Sequence, residues 1–310
     1  MLIANPRAST TTRQVRDLLV RAFVGDLEVE VAETGHRGHA IELAARAAYE
    51  EFDVLIALGG DGTVNEAVNG LMSVPGTAAT RPALAILPGG NANVFARSLG
   101  LPGDPMRSLA AILGALRGGH TRTVSLGHVT TPQESRYYTF TAGAGLDAEV
   151  VEAVEEARSK GSGKASNVLY VRSALRRFFA GTDRALPALE ARANGRVAHG
   201  LFLAFVSNTS PYTYLGPRPI VPSPRAGLGT GLDLFAIRSL RTGPVLAALA
   251  QMLLPASGGP RGRQIVELHD TAEVTLTARR PIALQVDGDY VGTREHMVFR
   301  SVPGALRVVI

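Results

Sequence analysis

The sequence predicts an α/β domain with a parallel sheet, followed by a β-rich domain built as a sandwich of antiparallel sheets. In roughly the first 120 residues, short apolar runs alternate with amphipathic helical segments, as expected for a parallel sheet covered on both faces. From Thr121 onward the apolar residues recur with period two in short runs, which is typical of antiparallel strands. A length of 310 residues accommodates two domains.

The first domain is predicted at residues 1–122. Its strands are expected at residues 1–4, 27–31, 54–58 and 83–87, and its helices at 10–24, 40–51 and from Thr63 onward. Pro6 ends the first strand, because proline fixes φ and has no amide hydrogen to donate. Four breaks in the chain follow these strands: Asn5, Thr34, residues 59–63 and residues 89–93. Carboxyl ends of parallel strands share one edge, so we expect a ligand site there.

The break at Gly59-Gly60-Asp61-Gly62 has the composition of a phosphate-binding loop. Glycines lack a Cβ atom and let the backbone approach a ligand closely. The helix that follows has unpaired amide groups at its start, which favour an anion. Asp61 would repel phosphates unless a cation such as Mg²⁺ lay between them. The alternative is a tight turn in which Asp61 only caps the helix.

The longer string GGDGTVNEAVNGL, residues 59–71, resembles the nucleotide-binding signature of the diacylglycerol kinase catalytic-domain family, which includes bacterial lipid kinases and sphingosine kinases. The GGDG core alone is also found in NAD kinases and phosphofructokinases. The added Asn65-Glu66 and Asn69-Gly70-Leu71 favour the lipid-kinase branch. The resemblance therefore implies a first domain like that of NAD kinases and lipid kinases.

A second loop, LPGGNANVFARSLGLP at residues 87–102, is similar to the second motif of the same family. Asn91 stands where threonine is usual, and Val94 stands where aspartate is usual. The resemblance implies that ATP lies on both loops and that Mg²⁺ bridges Asp61 and the phosphates. The implied ATP-binding residues are Asn5, Thr34, Gly59, Gly60, Asp61, Gly62, Thr63, Asn65, Gly90, Asn91 and Asn93.

The second domain is predicted at residues 123–295, with helices near 148–158, 167–179 and 244–254. The family resemblance implies that this domain holds the lipid substrate, and that a last strand at 296–310 can return to the first domain. The helix at 167–179 carries arginines beside Phe178 and Phe179. It suits either a core-packed amphipathic helix or a membrane surface.

Asp287-Gly288 lies between two alternating apolar runs, which is a strong signal for a β-hairpin. In the family that this chain resembles, an Asp-Gly-Glu or Asp-Gly-Asp string at this place supplies the catalytic base. Asp287 matches that base, and Asp289 stands in for the commoner glutamate. A carboxylate can accept the proton that a lipid hydroxyl loses as it attacks the γ-phosphate.

Three acidic positions of the family are absent: Val94, Ser125 and Thr230 occupy them. The segment 220–235 resembles the family stretch that holds a structural Mg²⁺, and Asp233 is the carboxylate that remains there. His36 and His39 are interpreted as surface or capping residues, because the sequence offers no acidic third metal ligand at suitable spacing.

The resemblance covers nearly the whole chain and implies an ATP-dependent lipid kinase. Diacylglycerol is the favoured acceptor, which would give phosphatidic acid as the product. A catalytically weakened nucleotide- or lipid-binding homologue remains an alternative, as does a kinase of a soluble substrate such as NAD. A homodimer is left open.

Composition bears on partners and location. The net charge of +5 favours an anionic surface such as a phospholipid membrane. Aromatic residues make up only 5% and no RNA-binding motif is present, so no nucleic-acid partner is expected. The absence of cysteine fits a reducing cytoplasm. We find no signal peptide and no apolar run of about 20 residues, so we expect a cytoplasmic protein that associates with a membrane peripherally.

Overall fold

The computed structural model describes the chain except for residues 7, 9–12, 25–27, 160–185 and 255–257. The chain divides into two compact units. The first unit comprises Met1–Leu126 and Pro303–Ile310, and the second comprises Gly127–Val302. The division predicted from the sequence falls after residues 122 and 295.

The first unit alternates strands and helices. Its elements are β1 (Leu2–Ala4), α1 (Arg13–Val24), β2 (Val31–Glu33), α2 (His39–Tyr49), β3 (Val54–Gly59), α3 (Asp61–Ser73), β4 (Ala83–Pro88), α4 (Val94–Ser98), α5 (Pro105–Gly118) and the start of β5 (Thr121–Thr130). The strands pair in parallel in the order β2-β1-β3-β4. β3 and β4 are buried almost throughout, as their apolar sequences require.

Two residues of the glycine-loop signature join α2 to α3 rather than face a ligand. The carboxylate of Glu66 on α3 accepts hydrogen bonds from the amides of Gly38 and Ala40, at 2.9 and 3.2 Å. Gly38 offers no side chain to cap α2, so Glu66 acts as its N-terminal cap. A Cβ atom on Gly70 would lie 2.3 Å from the carbonyl oxygen of Ile41. Only glycine therefore allows the two helices to pack this closely.

The second unit is mainly antiparallel. Its elements are β6 (Ser135–Tyr138), β7 (Thr141–Gly145), α6 (Leu146–Ser159), β8 (Leu189–Ala193), β9 (Arg196–Leu201), β10 (Leu203–Ser207), β11 (Thr213–Leu215), β12 (Arg218–Ile220), β13 (Leu232–Ile237), α7 (Thr242–Leu253), β14 (Ile265–Thr271), β15 (Glu273–Val286) and β16 (Asp289–Val309). The strand order is β14-β13-β10-β7-β15-β16, and β15 also pairs with β8. The end of β16 belongs to the first unit, where Val308 pairs in parallel with Leu84 of β4.

The sheet of the second unit is apolar on both faces. On β13, Leu232, Leu234 and Ala236 belong to one buried cluster, whereas Phe235 and Ile237 belong to another. The second cluster includes Ala248 and Met252 of α7, so this helix packs on the Phe235 face. Period-two alternation places successive side chains on opposite faces, and here both faces are buried.

The structure differs from the sequence-based expectations at two elements of the first unit. The second strand runs over Val31–Glu33 and not over 27–31, because Val31 pairs with Leu2 of β1. Helix α5 was not predicted, although Asp104 caps it and Pro105 opens it, which are recognisable start signals. The basic helix predicted at 167–179 lies outside the described residues. Among the described residues, no helix combines the length and apolar content needed to cross a bilayer.

Candidate functional site

Parallel pairing brings the predicted breaks of the first unit to one edge of its sheet. Ala4 at the end of β1 pairs with Glu33 of β2 and with Leu58 of β3. Gly59 at the end of β3 pairs with Pro88 of β4. The four strands therefore end at the same level, and Asn5, Thr34 and the two glycine loops follow directly.

The two glycine loops touch each other through their backbones. The amide of Gly89 donates to the carbonyl oxygen of Gly59 at 2.7 Å. A Cβ atom on Gly90 would lie 2.6 Å from the Cα atom of Gly60, a distance that real Cβ atoms essentially never show. In the reverse direction, a Cβ atom on Gly60 would lie 3.2 Å from the Cα atom of Gly90. The loops can therefore lie this close only without a side chain at Gly90, and the fit at Gly60 is tight.

Polar side chains fix the shape of each loop. The amide group of Asn5 donates to Oγ1 of Thr63 at 3.0 Å, which ties the end of β1 to the start of α3. Asn93, with a left-handed φ of 47°, accepts a hydrogen bond from the amide of Gly90 and donates to its carbonyl oxygen, both at 2.9 Å. Asn93 is buried and shapes the second loop from inside.

Asp61 links the first loop to the start of α4. It is the first residue of α3, whose N-cap Gly60 has no side chain to satisfy the first amides. The start of a helix carries a partial positive charge, which favours anions. The Oδ1 atom of Asp61 accepts a hydrogen bond from the amide of Phe95 at 3.4 Å. The carboxylate is half-buried beside both loops.

The remaining predicted residues of this unit differ in exposure. Thr34 is half-buried at the end of β2, where its amide donates to the carbonyl oxygen of Ala4 at 2.9 Å. Asn91 is exposed on the second loop. Asn65 is fully buried, and its side-chain oxygen accepts a hydrogen bond from Asn69 at 3.1 Å. The structure thus brings the loop residues together but places Asn65 in the interior of the unit.

The histidines near the start of α2 have an acidic neighbour that the sequence analysis missed. His36, His39 and Glu42 offer ligand atoms that all lie within 4.8 Å of one another. The expectation that no third ligand stands at suitable spacing is therefore wrong, because Glu42 follows His39 by one helical turn. His39 already uses its Nδ1 atom to accept the amide hydrogen of Gly35 at 2.9 Å.

Asp287 lies at the turn of the β15–β16 hairpin in the second unit. Asp287 and Gly288 have φ values of 49° and 80°, as a two-residue type I′ turn requires. The Asp287 side chain is buried and accepts hydrogen bonds from four donors. Oδ2 accepts from the amide and the hydroxyl of Thr139, at 2.6 and 2.7 Å, and Oδ1 accepts from the amides of Phe140 and Thr141, at 3.0 and 3.1 Å.

These donors fix the orientation of the Asp287 carboxyl group. Three of the four donors are main-chain amides, and only the Thr139 hydroxyl can rotate away from Oδ2 without a main-chain movement. Burial, and secondarily the charge of Asp287, raises the pKa of the neighbouring Tyr138 well above its usual value, so Tyr138 stays protonated.

Asp289 is the more accessible carboxylate of the hairpin. Its Oδ2 atom lies 2.8 Å from the guanidinium group of Arg136, and 25% of the Asp289 side chain is exposed. The positive charge of Arg136 therefore lies beside Asp289, two residues after Asp287 in the sequence.

The three residues that replace the family's acidic side chains fit their surroundings in the fold. Val94 and Ser125 are buried. The hydroxyl of Thr230 donates to the carbonyl oxygen of Gly227 at 2.9 Å. Valine in particular fits a buried position that would be costly for an unpaired carboxylate.

At the segment around Asp233, where the family stretch holds a structural Mg²⁺, the protein itself supplies hydrogen-bond partners to the carboxylate. The buried Oδ1 atom of Asp233 lies 2.7 Å from Nδ1 of His269 and accepts a hydrogen bond from the amide of Asp270 at 3.1 Å. Thr230 adds no negative charge. Protein donors therefore occupy Oδ1 of Asp233, and the nearby carboxylate of Asp270 accepts a hydrogen bond from the amide of Gly231 at 2.7 Å.

Comparisons with known proteins agree with this architecture. Residues 1–129 match the family model described as the diacylglycerol kinase catalytic domain. A curated diacylglycerol kinase of Staphylococcus aureus (strain bovine RF122 / ET3-1) is 28% identical over 299 residues, which cover 94% of this chain and 86% of that protein.

Solved structures share the fold. A diacylglycerol kinase from Bacillus anthracis str. Sterne aligns with a TM-score of 0.68 at 19% identity, over 99% of this chain and 95% of that one. An NAD kinase from Archaeoglobus fulgidus, solved in complex with ATP, aligns with a TM-score of 0.51 at 11% identity, over 100% of this chain and 92% of that one. The predicted fold class, α/β followed by a β-rich part, is confirmed.

The contact between the two loops predicts the effect of one methyl group. We expect Gly90→Ala to push the second loop away from Gly60 and to weaken ATP binding by roughly tenfold or more, about 1.4 kcal/mol. Isothermal titration of ATP into the full chain measures the affinity, and a thermal melt measures the stability.

Gly114→Ala is the matched control, because a Cβ atom on this α5 glycine meets nothing within 4 Å. Alanine there should leave ATP affinity unchanged and stabilise the helix by about 0.5–1 kcal/mol. An affinity equal to wild type in the Gly90 variant would show that the loop contact does not form the binding site.

Proposed function

We propose that this chain transfers the γ-phosphate of ATP to the hydroxyl of a lipid. Its resemblance to the diacylglycerol kinase catalytic-domain family is confirmed, and the chain is a phosphotransferase with an alcohol group as acceptor. Diacylglycerol is the favoured acceptor, since the curated relative aligned over 94% of the chain is named a diacylglycerol kinase. The reaction takes place at the cytoplasmic surface of a membrane, where ATP and the lipid are both available.

The observation that carries the proposal is the contact of two glycine loops at the start of α3. A triphosphate needs donors that can approach it closely, and main-chain amides without neighbouring Cβ atoms provide them. Gly60, Gly62 and Gly90 are all partly exposed to solvent. The Asn5–Thr63 hydrogen bond and the Asn93 bonds hold these amides in place before ATP binds, which reduces the ordering cost of binding.

Asp61 is the residue that would hold Mg²⁺ at these loops. Its carboxylate is half-buried beside the loops, and carboxylate oxygen is a donor that Mg²⁺ accepts. When bound, the ion would neutralise negative charge on the phosphates. Without a cation the carboxylate would repel ATP, so the residue type itself supports a metal here.

Asp287 would receive the proton of the attacking hydroxyl. Main-chain amides of Thr139, Phe140 and Thr141 hold its carboxyl group in place, so its position is set before the substrate binds. Oδ2 becomes available when the Thr139 hydroxyl rotates away, because that bond depends on a side-chain rotamer alone. Asp289, paired with Arg136, supports the hairpin beside it.

Direct assay tests the proposed reaction. The purified full chain, given labelled ATP, Mg²⁺ and a lipid extract, should produce a labelled phospholipid that mass spectrometry identifies, with phosphatidic acid expected. Labelled NADP formed from NAD without vesicles would instead support a kinase of a soluble substrate. Binding of ATP with no labelled product from any acceptor would support the weakened homologue that Val94, Ser125 and Thr230 suggest.

Removal of the charge on Asp61 should weaken the binding of Mg²⁺·ATP. Asn at this position keeps an oxygen that can accept the Phe95 amide, so Asp61→Asn should preserve the link to α4. We expect the affinity for ATP with Mg²⁺ to fall roughly tenfold, or about 1.4 kcal/mol, and the affinity without Mg²⁺ to rise or stay unchanged.

Asp104→Asn is the control, because Asp104 also sits at a helix start in this unit and caps Arg107 through a side-chain oxygen. Titrations of ATP into wild type and both variants, with and without Mg²⁺, give the six affinities to compare. If Asp61→Asn retains the full effect of Mg²⁺ on ATP affinity, the metal assignment is wrong.

Asp287→Asn should lower the turnover number by roughly 100-fold or more, since it removes the proton acceptor. The new amide group must face a main-chain donor, so the variant should also lose about 1–3 kcal/mol of stability. ATP affinity should stay within about twofold, because the proposed ATP contacts lie on other residues.

Thr139→Val separates catalysis from stability. It removes one hydrogen bond to Asp287 but keeps the carboxylate, so turnover should persist despite a lower melting temperature. An equal loss of turnover in both variants would mean that the hairpin acts structurally and that Asp287 is not the base.

A further inference from the structure

Helix α7, Thr242–Leu253, is an uncharged helix that lies largely in solvent. Its sequence TGPVLAALAQML contains no Asp, Glu, Lys or Arg. Only Ala248 and Met252 are buried in the helix. A helix on the surface of a water-soluble domain ordinarily carries charged residues on its outer face. The outer face of α7 departs from this rule.

The buried side of α7 is well anchored in the second unit. Ala248 and Met252 join the cluster around Phe235 and Leu240. The carbonyl oxygen of Met252 accepts a hydrogen bond from the amide of Val221 at 3.1 Å. The helix is therefore fixed to the unit, and its outer face is presented in a defined orientation.

The outer face carries a leucine stripe. Leu246, Leu249 and Leu253 are three and four residues apart and so share one side of the helix. Leu246 is 60% exposed and Leu249 is 43% exposed. Leu254, the residue directly after the helix, is 69% exposed. Exposed large apolar side chains grouped in this way mark an interaction surface.

Arginines outnumber acidic residues in the chain around α7, where Glu267 is the first carboxylate after the helix and feels the positive charge of Arg225 and Arg261. Between residues 234 and 266 the sequence has Arg238, Arg241, Arg261 and Arg263 and no Asp or Glu. Arg241 is the residue before α7, and Arg261 follows it. Gln251 fastens the Arg261 segment to the helix: its side-chain oxygen accepts the Arg261 amide hydrogen at 2.8 Å, and its amide group donates to the Arg261 carbonyl oxygen at 3.3 Å.

We propose that α7 docks this protein on an anionic phospholipid bilayer, with Leu246, Leu249 and Leu254 in the acyl boundary and Arg241, Arg261 and Arg263 at the phosphates. Apolar residues on one side of a helix together with nearby arginines bind anionic membranes through both area and charge. The positive charge distinguishes a lipid surface from a neutral apolar protein partner. The inference rests on the proposed lipid-kinase function, because a lipid kinase takes its acceptor from a membrane.

Vesicle binding of the full chain tests the proposal. The double variant L246E/L249E should bind phosphatidylglycerol vesicles at least tenfold more weakly than wild type in a sedimentation assay. Its phosphorylation of diacylglycerol in those vesicles should fall in parallel, and its activity on a dissolved short-chain diacylglycerol should not change. R261Q/R263Q should reduce the preference for phosphatidylglycerol over phosphatidylcholine vesicles.

Leu18→Glu is the matched control, because this leucine on α1 is 53% exposed and lies in the first unit. It should bind vesicles like wild type. Unchanged vesicle binding by L246E/L249E would overturn the proposal. A smaller particle mass for L246E/L249E than for wild type in light scattering would also overturn it, because it would show that the stripe joins two copies of the chain. If wild type binds vesicles through α7 but phosphorylates no lipid, docking stands and the proposed function fails. If short-chain substrate is phosphorylated and the variants bind vesicles normally, the function stands and docking fails.

Discussion

The close approach of two backbones, at Gly60 and Gly90, is the constraint on which the first unit depends. The two loops follow neighbouring strands, so their separation is set by β3–β4 pairing, which leaves no room for a Cβ atom at Gly90. Polar bonds of Asn93 and Asp61 accompany this approach. Asn93 folds the second loop back on Gly90, and Asp61 reaches the amide of Phe95 across the contact. Main-chain amides from two loops can then face one ligand, which neither loop could arrange alone.

The same constraint explains why the recognisable sequence signature is longer than the loop. Glu66 and Gly70 point away from the glycine loops and join α3 to α2. Asn65 is buried and bonded to Asn69 on the next turn. These residues fix the direction of α3, and the direction of α3 decides where its first amides point. A residue can therefore be required by a binding loop without ever contacting the ligand, because a helix transmits its orientation rigidly along its axis.

Pattern and topology predict the position of the site but not the partners of its side chains. The edge of the sheet follows from the alternation of strands and helices, since parallel strands must end together. The hairpin at Asp287 also follows from local sequence. What local sequence cannot reveal is that Asp287 binds Thr139, Phe140 and Thr141, because those donors precede it by almost half of the chain. The local sequence hides the role of Glu66 for the same reason, because its partners Gly38 and Ala40 are 28 and 26 residues away. The late start of β2 reflects pairing with β1, which overrides the alternation of residues 27–31.

The loss of acidic residues bears on whether a single carboxylate can serve the loops. Mg²⁺ in nucleotide sites is usually held by one or two carboxylates, with phosphate oxygens and water completing its shell. Asp61 supplies one carboxylate, the smaller of these two numbers. Val94 is buried at the start of α4, where a second carboxylate would carry a desolvation cost that only a bound cation could offset. A valine there removes that cost and also removes one charge that would repel ATP. Valine at this position therefore weakens the attraction for the metal but removes the desolvation cost from the nucleotide-free protein. The phosphates themselves can supply the missing oxygen ligands. The first unit is thus compatible with a kinase that gains its metal together with ATP.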